Sequence, residues 1–375
     1  MKKIQMVDLQ TQYTKIKEEI DAGIAEVINS ASFIKGPKVA EFQAHLEQYT
    51  GAKHVINVGN GTDALQIALM GLGLQPGDEV ITPTFTFIAT AEVVALLGLT
   101  PVVVDVDWET MNMDIESVRR AITPHTKAIV PVHLFGQCAN MEAIMELANE
   151  HHLYVIEDAC QAIGAQYTFS NGETKQAGTI GHIGCTSFFP SKNLGCYGDG
   201  GAIFTNDDEL ADKMQAIANH GCHIRYHHDE VGVNSRLDSI QAAVLDAKLP
   251  HLNEYIAARQ KAAAYYDKAF ADNEKLLIPG REPHSTHVFH QYTLRVVGAD
   301  RDALREGLAA RGIPAMIYYP VPLHQQKAYL DPRYKDGDFP AAERLAACVL
   351  SLPMHTELDE EQLQFITSSV LDLIR

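Results

Sequence analysis

The chain has 375 residues, of which 46% are hydrophobic and 21% are charged, and its formal net charge is −18. This length can form one large domain and a smaller one. The acidic balance, without any basic block, argues against a nucleic-acid partner, and the most apolar stretch, 93–104, is broken by Gly98 and Pro101 and too short to span a membrane.

The first part of the chain predicts helices followed by a regular strand–helix alternation. Apolar residues recur at helical spacing over 8–30, and Pro37 can open a second helix. Short apolar strands then alternate with helices, which predicts a mostly parallel sheet covered on both faces. The strands are predicted at 54–59, 79–83, 101–106, 128–132 and 153–157, and the helices at 63–72, 89–97, 115–122 and 141–151.

The alternation changes in the second half of the chain. A glycine-rich loop joins strand-like segments at 186–189 and 202–205, so that an antiparallel addition to the sheet is expected. Further segments predict a smaller α+β domain, and we place the boundary between a large domain, 1–250, and a small domain, 251–375. Helices are predicted at 210–218, 238–249, 251–270, 301–311, 341–350 and 360–374, strands at 290–296 and 315–319, and an irregular loop at 220–236.

Six cysteines are scattered along the chain, and none forms a CxxC pair. Without a disulfide framework, and with no apolar segment after Lys2 and Lys3 to form a signal peptide, we expect a reduced, cytoplasmic protein. The loop 220–228 contains four histidines and Cys222, but their spacing matches no metal-binding pattern. We expect no metal and interpret this loop as solvated or in contact with substrate.

Candidate ligand-binding residues follow the predicted strands, because ligands of open α/β sheets bind beyond the carboxyl ends of the strands. The segment 59–63, Gly-Asn-Gly-Thr-Asp, ends one strand and begins a helix, so its free N–H groups favour a phosphate. The alternative is a simple capped turn with Asn60 or Thr62 as the cap.

Asp158 ends another strand, where its carboxylate could pair with a cationic ring nitrogen; alternatively it caps the following turn. Gln161 could reach a neighbouring hydroxyl group. Phe85 or Phe87, after the strand at 79–83, could stack on a planar ligand or simply pack in the core.

Lys192 follows an apolar segment and precedes four glycines within 195–201. Desolvation there would lower the pKa of the lysine and make it a usable nucleophile, whereas an isolated lysine is more often a surface residue. A lysine amine, a carboxylate for a pyridinium nitrogen, a stacking aromatic ring and a phosphate site together meet the needs of pyridoxal phosphate. The combination is more specific than any one of its members.

Five motifs resemble those of the DegT/DnrJ/StrS nucleotide-sugar aminotransferases, at 60–65, 157–161, 187–192, 198–202 and 232–238. The resemblance covers nearly the whole chain and implies a fold-type I, aspartate aminotransferase-like enzyme that uses pyridoxal phosphate and its pyridoxamine form. It implies that Lys192 binds the cofactor covalently and moves protons, and that Asp158 holds the ring nitrogen protonated.

The same resemblance assigns the remaining cofactor contacts. Gln161 would contact the ring hydroxyl, and Phe87 would stack on the ring. The phosphate would be bound by Gly61, Thr62 and Ser187. Asn234 of the neighbouring subunit would complete this phosphate site, so that a homodimer is expected.

For the substrate, the sequence most resembles enzymes that aminate UDP-2-acetamido-3-keto-glucuronate for surface polysaccharides such as the lipopolysaccharide O-antigen. The resemblance implies a UDP- or dTDP-linked sugar as the substrate and glutamate as the donor. Arg236 could bind the uronate carboxylate or could instead pair within its own loop. Tyr319 and His324 match positions near the sugar. A 4-keto sugar aminotransferase, a sugar dehydratase, a desulfurase or a regulator of the same fold are the alternatives; dehydratases have a histidine in place of Lys192, and a desulfurase would need Cys222 to be reactive.

Overall fold

The computed structural model describes residues 3–374, and its chain begins with three helices: α1 (Leu9–Lys15), α2 (Lys17–Ser30) and α3 (Pro37–Thr50). The Asp8 side chain accepts a hydrogen bond from the Thr11 amide and starts α1. The prediction of one helix over 8–30 is wrong in one respect, because Ile16 has a φ of −122° and separates α1 from α2.

The predicted strand–helix alternation is confirmed, with ends that differ by at most three residues. It comprises β1 (His54–Val58), α4 (Gly61–Gly71), β2 (Glu79–Pro83), α5 (Ala89–Leu96), β3 (Thr100–Val104), α6 (Ile115–Ala121), β4 (Thr126–Ile129), α7 (Met141–His151) and β5 (Tyr154–Asp158). A small hairpin that was not predicted follows, made of β6 (Gln166–Thr168) and β7 (Thr174–Gln176). Then come β8 (Ile183–Ser187), β9 (Gly201–Thr205), α8 (Asp208–Ile217) and α9 (Ser239–Lys248).

The main sheet has seven strands in the order β1-β9-β8-β5-β4-β2-β3. The strands β8, β5, β4, β2 and β3 pair in parallel, whereas β9 is antiparallel to both β8 and β1. Six strands therefore point the same way, which confirms the mostly parallel sheet and the expected antiparallel addition. Their carboxyl ends share one edge with the start of β9.

Helices cover both faces of this sheet. On one face, α4, α5 and α8 contribute Leu65, Val94 and Met214 to a buried core. On the other face, α3, α6, α7 and α9 form a larger core, in which the ring of Phe42 meets that of Phe188 edge-on at 5.5 Å. Phe188, the first residue of the loop that carries Lys192, is thus held by tight packing.

The C-terminal part is built on a three-stranded antiparallel sheet in the order β10-β11-β12. Two predictions are wrong here. Residues 315–319 form no strand, and only Met316 makes an isolated bridge, to Ser351. The helix predicted over 341–350 ends at Cys348, and the next residues form a strand. The elements are α10 (Leu252–Phe270), β10 (Leu276–Leu277), β11 (Tyr292–Val296), α11 (Arg301–Ala310), α12 (Pro340–Cys348), β12 (Val349–Leu352) and α13 (Glu360–Leu373).

Helix α10 contributes to two hydrophobic cores. Its first turns place Leu252 and Ile256 in the core of the main sheet, whereas its later turns place Ala262 and Phe270 in the core of the small sheet. The division into domains at 250/251 stays a prediction. Among residues 3–374, no helix combines the length and the apolar character needed to cross a bilayer.

Candidate active site

A cavity of about 780 Å³ opens at the carboxyl edge of the main sheet. Most of the residues predicted to bind the cofactor line it, although they come from four separate segments of the chain. These residues are Gly61, Thr62, Phe87, Asp158, Gln161, Ser187 and Lys192, joined by Tyr319. Asn234, Arg236 and His324 do not line this cavity in the single chain.

Lys192 projects from a closed turn between β8 and β9. The Lys192 amide donates to the Phe189 carbonyl, and the Cys196 amide donates to the Phe188 carbonyl, each at 2.8 Å. Burial lowers the pKa of Lys192, although the thiol of Cys160 and the carboxylate of Asp158 act in the opposite direction. The lowered pKa raises the fraction of Lys192 that is neutral and able to accept a proton, compared with a solvated lysine.

A second lysine, Lys248, supports this turn from the end of α9 and was not predicted from the sequence. Its Nζ donates to the Gly195 carbonyl at 2.7 Å and lies 4.4 Å from the centre of the Tyr197 ring. The side chain is only 1% exposed, and burial lowers its pKa to about 8. Gly195 cannot be larger, because a Cβ there would lie 2.4 Å from the Pro190 carbonyl oxygen.

The start of α4 is a candidate anion site, because its backbone amides could hold a phosphate. The Asn60 side chain caps the helix by accepting the Asp63 amide at 2.8 Å, which leaves the preceding amides of the first turn free for a ligand. At Gly61 a Cβ would lie 2.8 Å from the Ser187 Cβ and 2.9 Å from the Cys160 Sγ. The absence of a side chain thus brings this backbone against the Ser187 strand end.

Ser235 joins this anion site to the segment that contains Asn234 and Arg236. Its hydroxyl donates to Asp63 Oδ2 at 2.6 Å and accepts the Gly59 amide at 2.8 Å. The sequence analysis did not select Ser235, although it stands between two residues that were selected. The contact spans 172 residues, so no local pattern could have indicated it.

Asp158 is held with its carboxylate towards the cavity. The Thr90 hydroxyl donates to Oδ2 at 2.8 Å, and the Cys160 amide donates to Oδ1 at 3.3 Å. A turn and no helix follows at 160–161, and the bond from the Cys160 amide means that Asp158 caps this turn as well as facing the cavity. Burial and the neighbouring Asp158 raise the pKa of Cys160 well above its usual value, which keeps this thiol protonated.

Glu157, next to Asp158, faces away from the cavity into a fully buried cage. Its carboxylate accepts the amides of Gly178, Ile180 and Gly181 at 2.6–2.8 Å. His133 completes the cage at 2.8 Å, and since its Nδ1 accepts the Ala139 amide, the ring donates through Nε2. The cage fixes the turn before β8 and thereby the spacing of β5 and β8.

Aromatic side chains form one wall of the cavity. Phe87 is 54% exposed, and its ring centre lies 6.3 Å from that of Tyr319. Gln161 accepts the Phe135 amide at 2.7 Å and donates to the Tyr319 hydroxyl at 3.1 Å. The open face of Phe87 is therefore available to a planar ligand.

Arg236 lines a separate cavity of about 500 Å³. Lys35 shares that cavity, and its pKa is lowered by burial and by the positive charge of Arg236. Asn234 is exposed and forms an isolated bridge with Asn219. In residues 3–374, no group of three or more His, Cys, Asp or Glu side chains is placed to hold a metal ion.

His324 is buried behind the aromatic wall. Its Nδ1 lies 2.8 Å from the Thr84 hydroxyl, and its Nε2 lies 3.3 Å from Glu343 Oε1. The His324 ring therefore does not reach the cavity of its own chain, where the sugar contact was predicted.

The cavity fits pyridoxal phosphate. A phosphate fits the amides at the start of α4, a positively charged ring nitrogen fits the Asp158 carboxylate, and a planar ring fits the face of Phe87. The Thr86 hydroxyl, which also lines the cavity, is buried without a hydrogen-bond partner.

The model of the DegT/DnrJ/EryC1/StrS aminotransferase family matches residues 14–371. The chain belongs to this family. It is a pyridoxal phosphate-dependent sugar aminotransferase with the fold-type I architecture.

Named relatives of this family member cover nearly its whole length. A UDP-2-acetamido-2-deoxy-3-oxo-D-glucuronate aminotransferase of Pseudomonas aeruginosa is 48% identical over 98% of this chain and 99% of its own. A UDP-N-acetyl-3-dehydro-alpha-D-glucosamine 3-aminotransferase of Acidithiobacillus ferrooxidans is 47% identical, covering 98% and 97%. A protein of Geobacillus stearothermophilus that is 48% identical, covering 99% of both chains, is named a pleiotropic regulatory protein.

Solved structures of relatives have the same fold. DesV of S. venezuelae superposes with a TM-score of 0.94 at 40% identity, covering 99% of this aminotransferase and 98% of DesV. NtdA of Bacillus subtilis, solved with bound pyridoxamine phosphate (PMP), superposes with a TM-score of 0.88 at 31% identity, covering 98% and 83%. The predicted fold class, family and cofactor are thereby confirmed.

Proposed function

We propose that this aminotransferase transfers an amino group from glutamate to the C3 ketone of UDP-2-acetamido-2-deoxy-3-oxo-glucuronate or a related UDP-linked 3-keto sugar. Two relatives that are 47–48% identical over nearly the full length are named for 3-keto substrates of this type. The observation that carries the reaction type is Lys192, a lysine whose pKa burial lowers, inside a cavity with Asp158. The product would serve surface-polysaccharide synthesis, such as that of the O-antigen, in the cytoplasm.

In this proposal the residues of the cavity have separate roles in amino transfer. When bound, pyridoxal phosphate acts as an electron sink and carries the amino group between the two substrates. We assign Gly61, Thr62 and Ser187 to the phosphate. Asp158, whose carboxylate is oriented by Thr90, would keep a proton on the ring nitrogen.

Lys192 would move protons at its Nζ. As a neutral amine it can accept a proton from the substrate carbon, and as an ammonium it can return one, so that one group serves both half-reactions. Phe87 would exclude water from one face of the ring. We assign Gln161 to the ring hydroxyl, since its Nε2 has a second hydrogen besides the one donated to Tyr319.

A homodimer would bring the remaining assigned residues to the site. Arg236 lines a separate cavity, and Asn234, two residues before it, does not line the cofactor cavity of its own chain. In our proposal both act in the cavity of the neighbouring subunit, Asn234 on the phosphate and Arg236 on the uronate carboxylate. Large apolar side chains in two segments that also supply residues of that cavity, 33–36 and 222–237, are 46–85% exposed, which supports a subunit contact there. They are Phe33, Ile34, Ile224, Tyr226 and Val231.

A regulatory role is the second candidate, because one relative that is 48% identical carries a regulator's name. A regulator does not need a lysine of lowered pKa inside a complete cofactor cavity, which favours catalysis here. We expect the purified, cofactor-loaded enzyme to change its visible absorbance band when glutamate is added, and to recover the band when the UDP-linked 3-keto uronate follows. A band that ignores every amino donor would favour the regulator.

Two test variants and one control variant make this experiment specific. Lys192→Ala should abolish turnover, whereas Lys261→Ala, at an exposed lysine of α10, should leave it unchanged. Arg236→Gln should raise the KM for the uronate about tenfold or more and change the KM for the corresponding 3-keto glucosamine much less, because only the uronate has the carboxylate. An equal effect on both substrates would contradict the assignment of Arg236, and full activity of Lys192→Ala would refute the reaction type.

A further inference from the structure

The ring of His324 joins three segments of the chain behind the aromatic wall of the cavity. The Thr84 hydroxyl accepts the His324 amide at 3.3 Å, and the His324 Nδ1 lies 2.8 Å from the same oxygen. The Thr84 oxygen accepts the amide hydrogen and can direct its own hydrogen to Nδ1, and the Glu343 carboxylate near Nε2 favours the tautomer with the proton on Nε2. Burial lowers the pKa of His324, although Glu343 opposes this effect, which favours the neutral ring.

The other side of the ring meets Glu343 of α12. Nε2 lies 3.3 Å from Glu343 Oε1, a separation within reach of an electrostatic contact but with poor hydrogen-bond alignment. The Glu343 carboxylate also accepts the Gly337 amide at 2.8 Å and the Phe339 amide at 3.4 Å. The ring of Phe339 packs 4.6 Å from that of His324. The histidine therefore connects the strand end at Thr84 to the start of α12.

Two of these segments supply the aromatic wall: the segment 84–87 contributes Phe87, and the segment 319–324 contributes Tyr319. Thr84 lies two and three residues before Thr86 and Phe87, which line the cavity. The Leu323 amide donates to the Thr84 carbonyl at 2.8 Å and adds a further bond between the same two segments. Phe87 is half-exposed, so its ring has less packing around it than a buried ring, and the hydrogen bonds at Thr84 fix the backbone three residues before it.

We infer that His324 is a positioning residue, which acts through Thr84 to hold Phe87 and Tyr319 against the ring of the bound cofactor. It makes no contact with the sugar in this role. The inference rests on the assignment of Phe87 to the cofactor ring and is independent of which keto sugar is the substrate.

The test uses the visible circular dichroism of the cofactor-loaded enzyme, which reports how the cofactor ring is held, together with the rate of cofactor loss on dialysis. His324→Leu and Thr84→Val should each weaken the circular dichroism band and speed cofactor loss about tenfold, because each leaves a buried polar group unpaired. Both substitutions remove the bond to Nδ1, and Thr84→Val also removes the bond from the amide of residue 324, so the double variant should be little worse than Thr84→Val alone. Thr84→Val also keeps the test possible if His324→Leu does not fold.

His355→Leu is the matched control. His355 is also buried and its Nδ1 accepts the Glu357 amide, but it does not line the cavity. It should lower the thermal midpoint to a similar extent and leave the band unchanged. If His324→Leu and His355→Leu change the band equally, the effect is general destabilisation and the inference is wrong.

Two other results would also overturn the inference. A rise in the KM for the keto sugar alone, with the cofactor band and retention intact, would mean that His324 contacts the substrate. An unchanged band in Phe87→Leu would remove the assignment of Phe87 on which the inference depends. The band and the dialysis rate are measured without sugar, so a wrong choice of substrate would leave both readouts unaffected.

Discussion

Replacement of Lys248 by methionine perturbs the support of the turn that carries Lys192. The side chain is almost fully buried, donates to the Gly195 carbonyl and lies against the Tyr197 ring. Burial lowers its pKa from 10.5 to about 8. Methionine has a similar length but neither the charge nor the donor, so the variant separates the cost of the buried charge from the benefit of its contacts.

The pKa shift fixes the sign and the size of the expected effect. Because the folded pKa lies below the unfolded one, the unfolded chain binds more protons between pH 8 and 10.5, and stability rises with pH across that window. The penalty of the charged form is about 3 kcal/mol below the window, and it falls by about 2 kcal/mol between about pH 7 and pH 9.5. Lys248→Met removes this penalty but also loses the hydrogen bond and the ring contact, which together stabilise the folded chain by about 2–3 kcal/mol.

Lys248→Met should therefore be about as stable as the wild type at pH 7 and about 2 kcal/mol less stable at pH 9.5. Urea unfolding of the cofactor-loaded enzyme at the two pH values measures the difference. Lys261→Met, at an exposed position, is the control and should follow the wild type at both. An identical dependence on pH in Lys248→Met and the wild type would refute the reasoning, because it would mean that Lys248 titrates alike in the folded and unfolded chains.

Three further substitutions test individual contacts. Gly61→Ala should weaken cofactor affinity tenfold or more in a spectroscopic titration, because the new Cβ would lie 2.8 Å from the Ser187 Cβ; unchanged affinity would contradict the close approach. Glu157→Gln should lower the free energy of unfolding by about 2–4 kcal/mol, since the amide NH2 would face backbone donors, and a thermal midpoint equal to that of the wild type would contradict this role. Ser235→Ala should speed cofactor loss on dialysis about tenfold by releasing Asp63, whereas retention as in the wild type would show that the bond does not support the anion site.

The sequence was sufficient to predict the residues that stand at strand ends. Asp158 and Gly61 could be placed because parallel strands direct their carboxyl ends to one edge, so that local alternation implies a distant meeting. Lys192 followed from its position after an apolar segment and before glycines. In each case a local pattern carried the information.

Residues of the second cavity could be selected only by family resemblance. Arg236 lies in an irregular segment whose path is set by distant contacts, such as that between Ser235 and Asp63. Lys248 was missed for a related reason: at the end of a helix a lysine is ordinarily solvated, and only the packed structure shows what covers it.

Apolar segments bounded by prolines were interpreted wrongly. Residues 315–319 have strand-like composition, but Pro314 and Pro320 flank them, and only Met316 reaches a neighbouring strand. The apolar residues that end the predicted helix 341–350 suit a helix or a buried strand equally, and pairing with β11 made them β12. In both cases the outcome depends on pairing with residues distant in sequence, which a local pattern does not show.

The two-core packing of α10 bears on how such enzymes can be recombined. A chimera of two relatives joined at 250/251 would take Leu252 and Ile256 from one parent and the core that receives them from the other. Mismatched side-chain volumes there would create cavities or clashes. Because α10 packs in both cores, the two sheets cannot be exchanged independently. A crossover within or before α10 should succeed only between parents whose residues at these positions match in size.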